Sequence, residues 1–197
     1  MKILFKDSKS LFFFIHNKIK KKNFIISGGT TIKKILRHLN SKKKFLDNKI
    51  LLSDERIVKR NSNLRNDKFY YDLIKKKLIK KKNFFNFKSE IIDKVAAQKL
   101  EDKINMFKLE IAILTLGNNG HIASIFELEK KNHNFYFIKN SPKFPKKRFT
   151  ISINKLSKCK KIYLIASLSK RKNEINNLKK NILIQKIISK IDLLIIP

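Results

Sequence analysis

The stretch Ala112-Ile113-Leu114-Thr115-Leu116-Gly117-Asn118-Asn119-Gly120-His121-Ile122-Ala123-Ser124-Ile125-Phe126 decides how this chain is read. An apolar run ends abruptly in two glycines that bracket a short polar turn. A histidine follows at once, and then a helix-compatible segment. In this way a buried strand delivers an imidazole to the C-terminal edge of a parallel sheet, where open α/β folds bind ligands. Histidine is the side chain best suited to proton transfer near neutral pH. Taken alone, the same residues also suit a strand, a glycine turn and an incidental histidine.

Two further segments converge on the same kind of edge. Residues 24–31 read Phe-Ile-Ile-Ser-Gly-Gly-Thr-Thr and run into an amphipathic helix. Gly28 and Gly29 let the backbone approach an anion closely. The helix start adds free N–H donors and a favourable dipole, and the hydroxyls of Thr30 and Thr31 add more. A phosphate-sized ligand fits that description, and so does an ordinary N-cap by Thr30 or Thr31. Gly-Lys-Ser/Thr is absent, so the segment is no Walker A loop. In Ile50-Leu51-Leu52-Ser53-Asp54-Glu55-Arg56 another apolar strand ends in two acids and an arginine.

Outward from these segments the chain alternates. Strands are expected near residues 2–5, 23–27, 49–53 and 110–116, with helices near 8–20, 31–40 and 63–80 and an irregular loop after Ser53. Residues 95–100 belong to a further helix. Residues 135–139, 149–153 and 162–166 are strand candidates with β-branched or aromatic content. A polar, helical stretch follows, and residues 193–196 close the chain as a buried strand. Such alternation predicts an α/β fold: one Rossmann-like domain over residues 1–197, with a mostly parallel sheet flanked by helices. The apolar run at residues 11–15 is too short for a membrane span and is read as a buried helix face.

Four ordered motifs resemble those of 6-phosphogluconolactonases, in the superfamily of glucosamine-6-phosphate isomerases. They are Ser27-Gly28-Gly29-Thr30-Thr31; Ser53-Asp54-Glu55-Arg56 with Asn61-Ser62-Asn63; Gly117-Asn118-Asn119-Gly120-His121 through Phe126; and Ser141-Pro142-Lys143-Phe144-Pro145 with Arg148-Phe149-Thr150. The resemblance covers most of the chain, up to Lys170, and implies the NagB/RpiA/CoA-transferase-like fold. It implies hydrolysis of a sugar-phosphate δ-lactone, with His121 as general base and functional roles for Asp54 and Arg56. It also implies phosphate binding by Gly28, Gly29, Thr30, Thr31, Arg148 and Lys170. The related deaminases usually carry Asp-Glu-Tyr where this chain has Asp54-Glu55-Arg56. They continue Ala-Phe-Asn-Glu-Pro after the histidine, unlike residues 123–126 here. Both differences favour the lactonase.

The chain also departs from the family pattern. Asn119 stands where Gly-x-Asp-Gly-His has Asp, and Ile32 stands where Pro is usual. The glycine that usually precedes the lysine is missing before Lys170, and the chain is shorter than typical members. A reduced, fast-evolving enzyme is expected.

The net charge of +33 would ordinarily suggest a polyanion partner. Yet the basic residues are 42 lysines against six arginines, and the lysines are spread over nearly every polar segment. Lysine, asparagine and isoleucine share A/T-rich codons, so nucleotide bias is the simpler cause. No DNA- or RNA-binding motif stands out, and no specific nucleic-acid or membrane partner is expected. The single cysteine, Cys159, excludes an intrachain disulfide and fits a reducing cytoplasm. No cofactor or metal is expected, because no Cys/His cluster has ligand spacing and a strained lactone needs neither. A monomer is expected. The alternatives are a glucosamine-6-phosphate deaminase/isomerase and a non-catalytic module binding sugar phosphates or polyanions.

Overall fold

The computed structural model describes residues 1–87, 98, 102, 105, 108–127 and 134–197. Its main sheet has seven strands: β1 (Lys2–Leu4), β2 (Phe24–Ile26), β3 (Ile50–Leu52), β5 (Phe84–Phe85), β6 (Ile111–Thr115), β9 (Lys161–Ser167) and β10 (Ile191–Ile196). Every pairing in it is parallel, in the order β1-β10-β9-β6-β2-β3-β5. Every residue of β2, β3 and β10 is buried. Their apolar runs, broken only by Asp192 in β10, are what a sheet covered on both faces requires.

Alternation along the strands sorts side chains into two cores. Phe24, Ile26, Ile50, Leu52, Ile111 and Ile113 pack with α1 (Ser8–Lys18), α2 (Thr30–Leu36) and α3 (Lys68–Lys75). Ile25, Leu51, Ala112, Leu114, Ile162 and Leu164 face the other way. They pack with Leu156 of α4 (Ile153–Ser157), Ile175 of α5 (Leu168–Asn176) and the C-terminal residues Ile184 and Ile187. Leu11, Phe12 and Ile15 are buried, as the N-terminal apolar run predicts.

From β2 the chain steps outward through β3 and β5. From β6, beside β2 on the other side, it steps outward through β9 and β10. The loops leaving β2 and β6 therefore diverge at a topological switch point, the usual ligand crevice of an open parallel sheet.

Three expectations are corrected. The segment after Ser53 is not an irregular loop: β4 (Asp54–Arg56) pairs antiparallel with β8 (Arg148–Ile151), which pairs antiparallel with β7 (Phe135–Ile138). Ser53 is the hinge, since its N–H donates to Ile26 O in the main sheet and its C=O accepts from Ile151 N, each at 2.8 Å. Residues 121–126 form no helix. They fold through isolated bridges, with Ala123 at φ 49° and Ser124 drawn inward to Asp54. The helix expected over 63–80 shrinks to Lys68–Lys75, because the preceding residues are held by Glu55. The helix expected over 95–100 lies outside the described residues apart from Gln98, which is helical.

Glu55 is fully buried and accepts three backbone N–H bonds, from Arg56 and Asn66 at 2.7 Å and from Asp67 at 2.9 Å. Arg65 in turn forks onto Asp67, with its Nε at 2.8 Å and its Nη2 at 2.5 Å. Burial, and then the Asp67 charge, push the Glu55 carboxyl up to about 8. An acid raised from 4.5 stabilises the fold fully below pH 4.5, and that contribution fades as pH rises through 8. Glu55→Ala orphans two buried donors and one part-buried donor and is expected to cost about 3 kcal/mol or more. It should also remove this part of the pH slope, read by denaturant unfolding between pH 5 and 9.

Candidate active site

His121 sits at the switch point, at the end of the turn that follows β6. Its Nδ1 lies 2.5 Å from the carbonyl oxygen of Asn118. A carbonyl only accepts, so Nδ1 carries the proton and Nε2 of the neutral ring keeps its lone pair. Burial lowers the imidazole below its usual 6.5, and the Lys143 and Arg148 charges act in the same sense. The Asn118 bond and the Asp54 charge oppose them. The ring is therefore neutral at physiological pH.

The turn is shaped for this ring. Gly117 has ordinary backbone angles, yet a Cβ there would lie 2.1 Å from Cε1 and 2.3 Å from Nε2 of His121. Only a glycine admits the ring so close. Asn119 adopts φ 59°, ψ 22°, the left-handed region that asparagine and aspartate tolerate better than other side chains. The imidazole also packs on Phe126, with ring centroids 4.7 Å apart.

Asp54 is buried beside this turn. It accepts from Ser53 Oγ at 2.8 Å and Ser124 Oγ at 2.7 Å, with Asn66 Nδ2 at 3.4 Å. No direct bond joins it to His121; it reaches the ring through its field. Antiparallel register sets Arg56 opposite Arg148 and Asp54 opposite Thr150, so these four share one face of the small sheet.

The two arginines differ in freedom. Arg148 is 5% exposed, and its Nε and Nη2 donate to the carbonyls of Pro145, Lys143 and Phe144, while its Nη1 donates to Ser124 Oγ. That fork holds the Ser-Pro-Lys-Phe-Pro loop and is not open for two-pronged phosphate binding in this state. Among the described residues, the Arg56 guanidinium donates from Nη1 to Leu64 O at 2.7 Å, and its buried Nε finds no partner.

Across the crevice, Gly29 (φ 89°) is the N-cap of α2 and no side chain caps the helix, so neither threonine plays that part. Gly28 is pressed on by Asn66, whose Cγ would lie 2.4 Å from an added Cβ. Tyr70 Oη fixes the loop from below by donating to Ser27 O at 2.6 Å.

Lys170 is exposed, and its carbonyl accepts from Arg171 Nη1. The half-buried Arg171 is the residue turned inward. Its Nε donates to Leu116 O at 3.3 Å, and its charge, after burial, lowers Lys143. Glu174, one turn on, accepts the Asn119 N–H at 3.2 Å. The family resemblance points to Lys170 and names neither of these two residues. The available signal was that arginine is scarce in this chain, and that positions three apart share a helix face. Among the described residues, no group of three His, Cys, Asp or Glu is placed to hold a metal. No helix among them is long and apolar enough to cross a membrane.

A crevice at a parallel-sheet switch point, holding a histidine and arginines, makes this an α/β protein with its candidate site at the sheet's C-terminal edge. Over residues 14–182 the chain matches the family of glucosamine-6-phosphate isomerases and 6-phosphogluconolactonases, and it belongs to that family. A 6-phosphogluconolactonase of Borreliella burgdorferi is 30% identical over 155 residues; the match spans 71% of this chain and 65% of that protein. The structure of a 6-phosphogluconolactonase from Thermotoga maritima superposes with a TM-score of 0.83 at 22% identity, covering 100% of this chain and 98% of the other. A monomeric glucosamine-6-phosphate deaminase superposes at 0.75 and 17% identity, covering 99% and 96%. The expected fold class is thus found.

Gly117→Ala places a methyl inside the imidazole's volume. It should displace His121 while leaving β6 intact, and lower turnover by roughly a hundredfold with a small change in melting temperature. Steady-state kinetics beside thermal unfolding check this.

Proposed function

We propose that this chain hydrolyses 6-phospho-D-glucono-1,5-lactone to 6-phosphogluconate, in the oxidative branch of the pentose phosphate pathway and in the cytoplasm, as a monomer. The observation that carries the reading is the state of His121. It is neutral, fixed through Nδ1 to a backbone carbonyl, and keeps a free Nε2. Nε2 takes a proton from water as the water oxygen attacks C1 of the lactone. The C1 oxygen gains charge in the tetrahedral intermediate. That intermediate expels the ring oxygen, which recovers the proton from the imidazolium. Backbone N–H groups of residues 28–31 and the cations Arg56, Lys143 and Arg171 surround the anionic substrate. Arg148 supports them by holding the Lys143 loop and Ser124. Lys170 is a phosphate ligand only if its exposed side chain turns inward on binding.

The relative from Borreliella burgdorferi supports the lactonase reading by its name. A deaminase would need a further carboxylate free to move a proton along the sugar. Asp54 is tied by Ser53, Ser124 and Asn66, and Glu55 by backbone N–H groups.

Acid release from freshly generated lactone, with spontaneous hydrolysis subtracted, is the test. Fructose 6-phosphate and ammonia from glucosamine 6-phosphate would overturn the reading. His121→Gln should lower kcat by about a hundred- to ten-thousand-fold with little change in KM. The acid limb of kcat/KM should have its midpoint below pH 6.5, because burial favours the neutral ring. A midpoint above 6.5 would contradict that environment.

A further inference from the structure

The histidine turn has little packed protein behind it. Asn118 and Asn119 are exposed. On that side lies an open cavity of about 660 Å³, lined by Asn119, Gly120 and Phe126 on one wall and by Glu174, Asn177 and Asn181 on the other. With open space on that side, the turn's position depends in good part on its hydrogen bonds.

Three side chains from the α5 and C-terminal region supply those bonds. Arg171 Nε donates to Leu116 O, just before the turn. Asn181 Nδ2 donates to Gly120 O at 2.7 Å, just before His121. Glu174 Oε1 accepts the N–H of Asn119, the residue in the left-handed conformation. The Asn181 bond acts at the end of the turn, beside the turn's own backbone bonds from Gly117 N to His121 O and from Gly120 N to Gly117 O, whereas the Glu174 bond engages its middle, joining a carboxylate side chain to a backbone donor. The adjacent residue, Asn118, offers the carbonyl that fixes the His121 tautomer.

We propose that Glu174 is a positioning residue: by accepting the Asn119 N–H it holds the Asn118 carbonyl on Nδ1 of His121 and so keeps Nε2 in its basic form. This role rests on His121 being the base. Glu174 itself touches neither the imidazole nor the reacting atoms. It acts through one peptide unit, and its charge also opposes the effect of the Arg171 and Arg148 charges on Lys143.

The test compares Glu174→Ala with Glu174→Gln, which keeps an acceptor oxygen but no charge. Ala should lower kcat by about tenfold or more with KM within about twofold, since a misplaced base costs turnover rather than binding. Gln should restore most of it. In protein labelled with ¹⁵N-histidine, the His121 Nδ1–H signal should be present in wild type and Glu174→Gln and lost in Glu174→Ala. The His121→Gln spectrum assigns that signal among the four histidines. An unchanged kcat with an unchanged Nδ1–H signal in Glu174→Ala overturns the proposal. A loss in Gln equal to that in Ala overturns the acceptor role. The tautomer signal does not depend on which substrate is turned over, so failure of the lactonase reading would show in the assay and not in the spectrum.

Discussion

The buried Asp54 carboxylate is the constraint from which the site's arrangement follows. It stands where the chain passes from the main sheet into the small antiparallel one, and a carboxylate buried there requires hydrogen-bond donors. Ser53 comes from its own strand end, Asn66 from the loop held by Glu55, and Ser124 from the segment after His121. Satisfying one carboxylate therefore fixes three pieces of chain relative to one another. Ser124 then accepts from Arg148, which closes the chain of bonds with a cation and brings in the Ser-Pro-Lys-Phe-Pro loop. The same negative charge acts on His121 without touching it and offsets part of the effect of burial.

Most of the main sheet is legible in the sequence because its inner strands are apolar on both faces, and such runs interrupted by polar turns have few other uses; the two-residue edge strand Phe84–Phe85 carries too short a signal to be expected. Ile50-Leu51-Leu52 and Ile111 through Thr115 lie within a residue or two of where their composition puts them. The small sheet is not legible in the same way. Asp-Glu-Arg has poor intrinsic strand preference, and β4 exists because Arg148 through Ile151 pairs with it from far along the chain. Residues 121–126 mislead for a related reason. Their pattern suits a helix turn, but the long-range pull of Asp54 on Ser124 decides their path. The histidine, its glycines and the first phosphate-type loop could be named from residue types alone. The cations could not, because a side chain's direction from a helix depends on where the helix is kinked. Arg171 is non-helical at φ −137° and turns inward, while its neighbour Lys170 points to solvent.

The excess of positive charge has different meanings at the surface and in the crevice. Of the few acids in the chain, Asp54, Glu55 and Asp67 are internal, and Asp192 pairs with Lys161 at 2.9 Å and with the N-terminal ammonium at 3.1 Å. The lysines are thereby left with few partners at the surface, where solvent and salt screen them. The crevice uses mostly arginine, beside Lys143. Arg56 and Arg148 stand opposite each other in one ladder, and Arg171 comes from the helix beyond. Guanidinium is more weakly hydrated than ammonium and offers fixed, planar donors, so it can be half-buried beside a histidine and still direct its N–H groups. A lysine-rich composition thus hides a site built mainly on its scarcest cation.

Asn119 is where these constraints meet. The residue must accept a left-handed backbone, which asparagine and aspartate both do. Its N–H is already taken by the Glu174 carboxylate. An aspartate there would add a second negative charge to a turn that already holds one, and like charges at short range raise each other's cost. It would also favour the imidazolium form of His121, against the environment that keeps the ring neutral. With Glu174 supplying the negative charge from outside the turn, the neutral amide at 119 keeps the geometry and leaves the basicity of His121 to burial, the Asn118 carbonyl and Asp54. The departure from the family's Gly-x-Asp-Gly-His pattern is then consistent with the rest of the site rather than a sign of its decay.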